Sequence, residues 1–202
     1  ASFRGLSLYK YVLFLFVFLC GAYEIRNVTE MARNGQHAQI MEKLAFNDSL
    51  TGLLNREAYN RELEELKTKN EPLTFVMLDM NHLKKVNDRL GHLTGDEYIK
   101  KIGQFIRESF PAKDKCFRIG GDEFFVISAC RISDKVFQDG LAGLNIRIEN
   151  YNREKNAEIP MSIAIGYAEY HPGVETAENV IKETDEKMYR QKKTMRMEVG
   201  GL

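Results

Sequence analysis

The sequence has few cysteines, no excess of either charge and only one long hydrophobic run. Its 202 residues include three cysteines, Cys20, Cys116 and Cys130, which lie far apart and form no C-x-x-C pair. Such a scattered, odd-numbered set argues against a disulfide framework and a cysteine zinc site. The 29 basic and 29 acidic side chains cancel, so the chain lacks the positive field of a protein that wraps nucleic acid. We expect reduced thiols, no nucleic-acid partner, and one globular domain with an appendage.

The hydrophobic run lies near the amino end. Residues from Tyr11 to Tyr23 are uncharged. With Leu6 to Lys10 added, the segment approaches the roughly 17 to 25 residues of a membrane-spanning helix, provided that the lysine reaches the membrane surface. We predict a transmembrane helix within residues 1–23, which would place the chain in the inner or cell membrane. The alternatives are a buried core helix and a signal peptide, although Cys20 to Tyr23 is a poor cleavage site.

Residues 24–47 are polar, with sparse apolar side chains at roughly helical intervals and no proline. We predict an exposed helical stalk whose thin apolar stripe is buried by a second copy of the chain. Asn34-Gly35 is a weak point in that helix. Because the sequence begins without methionine, we expect it to be a piece of a longer protein.

The remainder, residues 48–198, alternates helical and strand-like segments. A nearly continuous apolar run from Leu73 to Leu78 ends in Asp79, a pattern typical of a strand buried on both faces. Helical segments then follow over Leu83 to Leu90 and Asp96 to Phe110. Asp79 therefore lies where a buried strand gives way to a helical crossover.

A glycine turn joins two further strands, at about 115–119 and 123–129. A helix to about Tyr151, a strand from Ile159 to Glu169 and a last helix follow. The order β-α-β-β-α-β, with a helix before and after, predicts an α+β domain with a ferredoxin-like or palm-type central sheet and helices on one face. In that topology the first strand is a neighbour of the central hairpin.

The glycine turn carries the most informative run of the chain, R-I-G-G-D-E-F, from Arg118 to Phe124. Two adjacent carboxylates, Asp122 and Glu123, follow a glycine pair that can supply the positive φ angles of a tight two-residue turn. A solvated hairpin tip would have the same composition. With Asp79 beside them, however, three acids from two segments would meet at one sheet edge, which is the outline of a two-metal site.

Basic side chains suited to phosphate accompany these acids. Lys84 follows the acidic end of the first strand, and Lys192 and Arg196 lie four residues apart on the last helix. Like charges at that spacing repel by roughly 0.2–0.5 kcal/mol unless an anion lies between them. The alternative is a solvated helix end, which the helix dipole favours. Phosphoryl transfer mainly needs positioning and charge neutralisation, and this set of residues offers both.

Three motifs together resemble the GGDEF family of diguanylate cyclases over about Asp48 to Arg196. The stretch D-S-L-T-G-L-L-N-R, which begins at Asp48, is similar to the family's opening D-x-L-T-G-L-x-N-R. The stretch from Asp79 to Asp96 is similar to D-x-D-x-F-K-x-x-N-D-x-x-G-H-x-x-G-D, and G-G-D-E-F is intact. In this order and at these spacings the motifs are highly specific.

The resemblance implies a metal site and a substrate site. Asp79 and Asp122 would hold Mg²⁺ or Mn²⁺ together with the backbone carbonyl of Met80, and Glu123 would complete the metal and catalytic constellation. The residues implied to bind GTP are the guanine readers Asn87 and Asp96, the backbone at His82 and Leu83, and the basic side chains of Lys84, Lys192 and Arg196.

The family's reaction joins two GTP molecules, one held by each subunit of a homodimer. Each 3′-hydroxyl attacks the other nucleotide's α-phosphate, pyrophosphate leaves, and 3′,5′-cyclic di-GMP forms. We expect this nucleotidyltransferase activity, with the catalytic domain in the cytoplasm. Two alternatives stay open: a catalytically inactive module that binds GTP or serves as a signalling and dimerisation platform, and a palm-type cyclase acting on a single nucleotide.

Two departures from the family pattern bear on activity and regulation. Asn81 replaces the usual second aspartate of D-x-D, which removes one negative charge near the metal. Pro111 and Asp114 stand at the R-x-x-D positions of the family's product-inhibition site. Because proline has no guanidinium fork for guanine or phosphate, we predict that this inhibitory site is absent.

Overall fold

The computed structural model describes residues 2–66 and 71–200. The chain divides into two compact units, a helix up to Ala45 and a globular unit from Phe46 onward. The first helix, α1 (Ser2–Phe46), is uninterrupted. The segments predicted as membrane helix and stalk therefore form one element, and Asn34-Gly35 does not break it.

The prediction of a membrane helix within residues 1–23 gains no support. In the part of the chain that the structure describes, no helix has an apolar stretch long enough to cross a membrane. Lys10 and Glu24 bound the uncharged run from Tyr11 to Tyr23 on either side.

The described residues of the globular unit form five further helices and four strands. In chain order these are α2 Arg56–Leu66, β1 Leu73–Met80, α3 Leu83–Leu90, α4 His92–Ser109, β2 Lys115–Arg118, β3 Glu123–Ser128, α5 Lys135–Lys155, β4 Ile163–Tyr170 and α6 Ala177–Gly200. The strands form one antiparallel sheet in the order β2-β3-β1-β4. The predicted β-α-β-β-α-β core is therefore confirmed, with β1 beside the central hairpin.

Two helix starts show how local sequence sets the boundaries. Asn55 caps α2, because its Oδ1 accepts the backbone N–H of Ala58 at 3.0 Å and so satisfies a donor without an intrahelical partner. α4 begins earlier than predicted, and Gly95 lies inside it. The break between α3 and α4 is at Gly91, whose φ of 83° favours glycine.

Helices cover both faces of the sheet, so the prediction of helices on one face is wrong. Alternation along β1 sends Val76 and Leu78 into the core formed with α3, α4 and α5. It sends Phe75 and Met77 into the core formed with α2 and α6. Asp79 follows the second pair at the same two-residue spacing, so its side chain lies on the α6 face of the sheet.

α6 crosses directly over β4 at Gly166. A Cβ at this position would overlap backbone atoms of Thr184 and Met188. Only glycine permits so close an approach between strand and helix. Because Lys192 lies one helical turn after Met188, the contact fixes the height of this lysine above the sheet.

Candidate functional site

The acids of β1 and of the hairpin meet at one end of the sheet. β1 pairs with β3 so that Asp79 lies opposite Glu123. The N–H of Met80 donates to the carbonyl of Asp122 at 2.9 Å. Asp79 is buried, Asp122 half-buried and Glu123 exposed. The backbone thus brings together all four residues that were predicted to hold a metal.

The connection between β2 and β3 differs from the predicted tight turn. Four residues, 119–122, link the strands, and Gly120 and Gly121 are not among the residues with positive φ. Glycine serves another purpose at position 120. A Cβ there would overlap the carboxylate of Glu123 and lie 3.2 Å from its Cβ. The absent side chain therefore gives Glu123 room to lie against the turn.

Arg118 connects this turn to the opening motif, a role that was not predicted from the sequence. Its Nη1 donates to both carboxylate oxygens of Asp48 at 3.1 Å, and its Nη2 donates to the carbonyl of Gly121 at 2.9 Å. Burial acts to raise the pKa of Asp48, but hydrogen bonds from Thr51 and Arg118 outweigh it and hold this pKa below its ordinary value. A charged Asp48 therefore anchors the guanidinium beside the turn.

Lys192 forms a well-enclosed ion pair with Asp79. Its Nζ bonds to the Oδ1 of Asp79, and the two side chains are 16% and 9% exposed. The pair follows from features of the fold, because Asp79 lies on the α6 face and Gly166 allows α6 to approach the sheet. Two residues predicted to bind different parts of a metal–nucleotide complex thus contact each other directly.

A cleft of about 590 Å³ opens at this end of the sheet. Its lining includes six of the predicted site residues, Met80, His82, Leu83, Lys84, Asp122 and Lys192. Lys85, Asp88 and Arg89 of α3, for which no role was predicted, also line it. Their spacing along α3, on one helical face, was the available signal. Four cationic and two carboxylate side chains therefore line the cleft. Its size and its net positive charge suit a polyanion.

His82 turns the chain from β1 into α3 with a left-handed backbone, φ 62° and ψ 15°. This conformation is uncommon for a residue other than glycine. The first-turn amides of α3, including those of Leu83 and Lys84, have no intrahelical acceptor. Such a helix start attracts anions through its amides and the helix dipole. The geometry is therefore compatible with the predicted phosphate contacts of this backbone.

Asn87 and Asp96, predicted to read guanine, lie on adjacent helices. Both are half-buried. The Oδ1 of Asn87 occupies the space where a Cβ of Gly95 would stand, which brings it close to the residue preceding Asp96. Neither residue is among those that line the cleft. Arg196 belongs to α6, but its side chain lies outside the described part of the structure.

The described acidic side chains do not form a metal-binding cluster. Among the side chains that the structure describes, no three histidine, cysteine or acidic groups are arranged to hold an ion. Asp79 is bonded to Lys192, and Glu123 lies against Gly120. The donors themselves are carboxylate and carbonyl oxygens, which are the ligands that Mg²⁺ and Mn²⁺ prefer. Their chemistry fits such an ion, although the side chains of Asp79 and Glu123 lie against Lys192 and Gly120 respectively.

An open antiparallel sheet with opposed acids at one end and a cationic cleft beside them defines an α/β domain suited to phosphate chemistry. The chain belongs to the GGDEF family, because the family model described as "Diguanylate cyclase, GGDEF domain" matches residues 45–198. The resemblance noted in the sequence is thereby confirmed. Members of this family named diguanylate cyclase are nucleotidyltransferase-type cyclases.

Two relatives and one solved structure illustrate the similarity. The chain is 32% identical over 163 residues to diguanylate cyclase DgcS of Shewanella oneidensis, a match that covers 79% of this chain and 53% of that protein. It is 31% identical over 158 residues to diguanylate cyclase DosC of Escherichia coli, covering 75% and 34%. The chain thus spans about half the length of these relatives or less.

The solved structure is the coiled coil and GGDEF domain of DgcB from Caulobacter crescentus in complex with c-di-GMP. It is similar to this chain with a TM-score of 0.72 at 26% sequence identity. The similarity covers 86% of this chain and 94% of that one. The open four-stranded sheet is therefore the fold of this family.

Proposed function

We propose that residues 48–198 form an active diguanylate cyclase domain that condenses two GTP into 3′,5′-cyclic di-GMP and releases two pyrophosphates. The observation that carries the proposal is the opposition of Asp79 and Glu123 at the end of the sheet where Lys84 and Lys192 line one cleft. The acids suit a metal and the cations suit a triphosphate. Because the reaction consumes GTP, we place the domain in the cytoplasm.

Of the remaining site residues, some would bind the triphosphate of GTP and the others its guanine base. Lys84, Lys192 and the first amides of α3 would hold the triphosphate, and we assign Arg196 to the same task. Asn87 and Asp96 would bind guanine, whose N1–H and exocyclic amine are donors that match a carboxylate. Adenine presents an acceptor at its N1. This pair of residues therefore favours GTP over ATP.

A divalent cation, Mg²⁺ or Mn²⁺, would be held by Asp79, Asp122, Glu123 and the carbonyl of Met80. When bound, it would supply positive charge to neutralise the transferring phosphoryl group. The protein itself supplies orientation. The register of β1 and β3 fixes two of the acids, and Arg118 holds the glycine turn in place.

The reaction requires a homodimer in which two clefts face each other. Each 3′-hydroxyl must reach the α-phosphate of the other nucleotide, and so each subunit would contribute one bound GTP. Large apolar side chains are exposed along α1, among them Val28, Met31 and Leu44 at 63%, 77% and 72%. A second α1 would bury such side chains in a helical pair, as predicted for the stalk.

Product analysis by mass spectrometry tests the activity. The full chain, incubated with GTP and Mg²⁺, is expected to yield cyclic di-GMP and pyrophosphate, whereas ATP yields no cyclic dinucleotide. The assay is run at concentrations where light scattering shows a dimer. If the dimer binds GTP and forms no cyclic dinucleotide, the enzyme assignment is wrong.

The second candidate function is a catalytically inactive GTP-binding or dimerisation platform. Asn81 favours it, because the family pattern has a carboxylate at this position. The Oδ1 of Asn81 is buried and has no hydrogen-bond partner among the described residues. The same product assay distinguishes the two candidates.

We further propose that the domain lacks the family's product-inhibition site. Pro111 supplies no guanidinium, and Asp114 is 8% exposed. Its carboxylate accepts the Oγ–H of Ser128 at 2.6 Å and the N–H of Ala129 at 3.2 Å. Both oxygens of the Asp114 carboxylate are therefore engaged by the fold.

Added cyclic di-GMP is accordingly expected to leave the initial rate nearly unchanged at saturating GTP. Saturating substrate removes simple competition by the product at the catalytic cleft, so any remaining inhibition comes from another site. The measurement is the rate of pyrophosphate release with and without added product. Inhibition that persists at saturating GTP and is relieved by Asp114→Ala would contradict the proposal.

A further inference from the structure

The ion pair between Lys192 and Asp79 places an ammonium group on a proposed metal ligand. We propose that Lys192 makes the site select a metal–nucleotide complex over the free metal ion, by holding Asp79 until a triphosphate draws the ammonium away. The inference rests on the proposed function, in which Asp79 binds metal and Lys192 binds phosphate.

The enclosure of this pair sets it apart from ordinary surface ion pairs. Its side chains are 16% and 9% exposed, so solvent and salt screen the attraction only weakly. Arg89 and Glu158 give a contrast, because they are 3.8 Å apart and 62% and 64% exposed. Exposed pairs of that kind contribute little. Opening the enclosed pair without a replacement partner leaves a desolvated charge, which is costly.

A divalent cation and the ammonium of Lys192 compete for the same carboxylate. Both are positive, so they repel each other when they share Asp79. A free metal ion must expel Lys192 and brings no anion to receive it. A metal ion that arrives on a triphosphate does bring one. The nucleotide therefore lowers the cost of freeing Asp79.

The exchange needs no rearrangement of the fold. Lys192 already lines the cleft that Lys84 and Asp122 line, and its stem is a flexible four-carbon chain. α6 can stay anchored on Gly166 while the ammonium passes from carboxylate to phosphate. Asp79 passes at the same time from ammonium to metal. By linkage, metal and nucleotide then strengthen each other's binding by the same factor.

Asn81 removes an alternative partner for Lys192. It lies two residues after Asp79, and its Nδ2 contacts the Sδ of Met195 at 3.5 Å. Met195 is three residues after Lys192, on the same side of α6. A carboxylate at position 81 would add a second anion near this turn of α6, whereas the amide does not. Asp79 is the carboxylate to which the structure pairs Lys192.

Binding of Mn²⁺ to the full chain, followed by electron paramagnetic resonance, tests the proposal. Lys192→Met is expected to tighten Mn²⁺ binding about tenfold without nucleotide, a change easily resolved in a titration. The same variant should bind the Mn²⁺ complex of a non-hydrolysable GTP analogue more weakly than the wild type. Lys192→Gln should shift both affinities in the same directions, and it keeps a donor for Asp79 if the methionine variant fails to fold.

Lys193→Met is the matched control. Lys193 is exposed, and its Nζ lies 4.6 Å over the ring of Tyr189. Its loss removes one charge from the same helix turn and should leave both affinities unchanged. If Lys192→Met and Lys193→Met have similar effects, the cause is a general change in the electrostatic potential around α6, and the inference is overturned.

The decisive result is that the Lys192 variants bind free Mn²⁺ more tightly and the Mn²⁺–nucleotide complex more weakly. Mn²⁺ affinity that is unchanged or weaker in Lys192→Met and Lys192→Gln would show that the lysine does not compete with the metal ion for Asp79. None of these measurements requires turnover. A wild-type chain that shows the expected coupling and forms no cyclic dinucleotide would refute the cyclase assignment alone.

Discussion

Glu123→Gln is expected to slow the formation of cyclic di-GMP at least about a hundredfold, in the range found when a group acting in the reacting centre is removed. Glu123 lies opposite Asp79 in the β1–β3 register and is the exposed first residue of β3. Glutamine keeps the shape and removes the charge. Because this side chain contributes nothing to either core, the free energy of unfolding should change by no more than about 0.5 kcal/mol.

The matched control is Glu149→Gln. Glu149 is an exposed glutamate of α5, and α5 packs against the opposite face of the sheet from Asp79. Initial rates by mass spectrometry and unfolding by circular dichroism are measured on both variants. A Glu123→Gln protein that turns over like Glu149→Gln would show that this carboxylate is not part of the reacting centre.

Gly166→Ala is expected to lower the free energy of unfolding by about 2–3 kcal/mol, the cost of forcing extra volume into a packed core. The added Cβ would overlap the carbonyl oxygen of Thr184 and the backbone nitrogen of Met188. Backbone atoms in a helix cannot relieve an overlap by rotating to another conformation, as the end of a side chain can. α6 must therefore move away from β4, and Lys192 moves with it, so affinity for GTP should fall as well.

Gly143→Ala provides the comparison for this prediction. Gly143 lies within α5, and a Cβ there would meet only the end of the Arg147 side chain. Alanine in a helix interior is intrinsically favoured over glycine, so this variant should be as stable as the wild type or more stable. Urea denaturation measures both. Equal stability of Gly166→Ala and the wild type would show that α6 is not seated as closely as described.

The sheet was predictable because its strands are short apolar runs with clear boundaries. β1 was expected to end at Asp79 and ends at Met80. The strand order followed from the alternation of helices and strands around one hairpin. The meeting of Asp79 with the hairpin acids is a consequence of that order, and so the backbone positions of the proposed metal ligands could be anticipated from the sequence.

The side-chain contacts at the same place could not be anticipated. Lys192 and Asp79 are 113 residues apart, and their contact depends on how closely α6 approaches β4. The glycine pair was misinterpreted for a different reason. Glycine is chosen both for positive φ and for close contact, and the sequence does not distinguish these. Gly120 serves the second purpose.

Alternation along β1 ties the chemistry of the domain to its stability. The same two-residue period that buries Phe75 and Met77 on the α6 face also turns Asp79 toward Lys192. A slip of one residue would exchange the two faces of the strand, sending the acid into one apolar core and disrupting the other. Asp79 therefore cannot lose its partner through a shift of this strand while the domain stays folded. The packing of the two cores therefore fixes the position of Asp79.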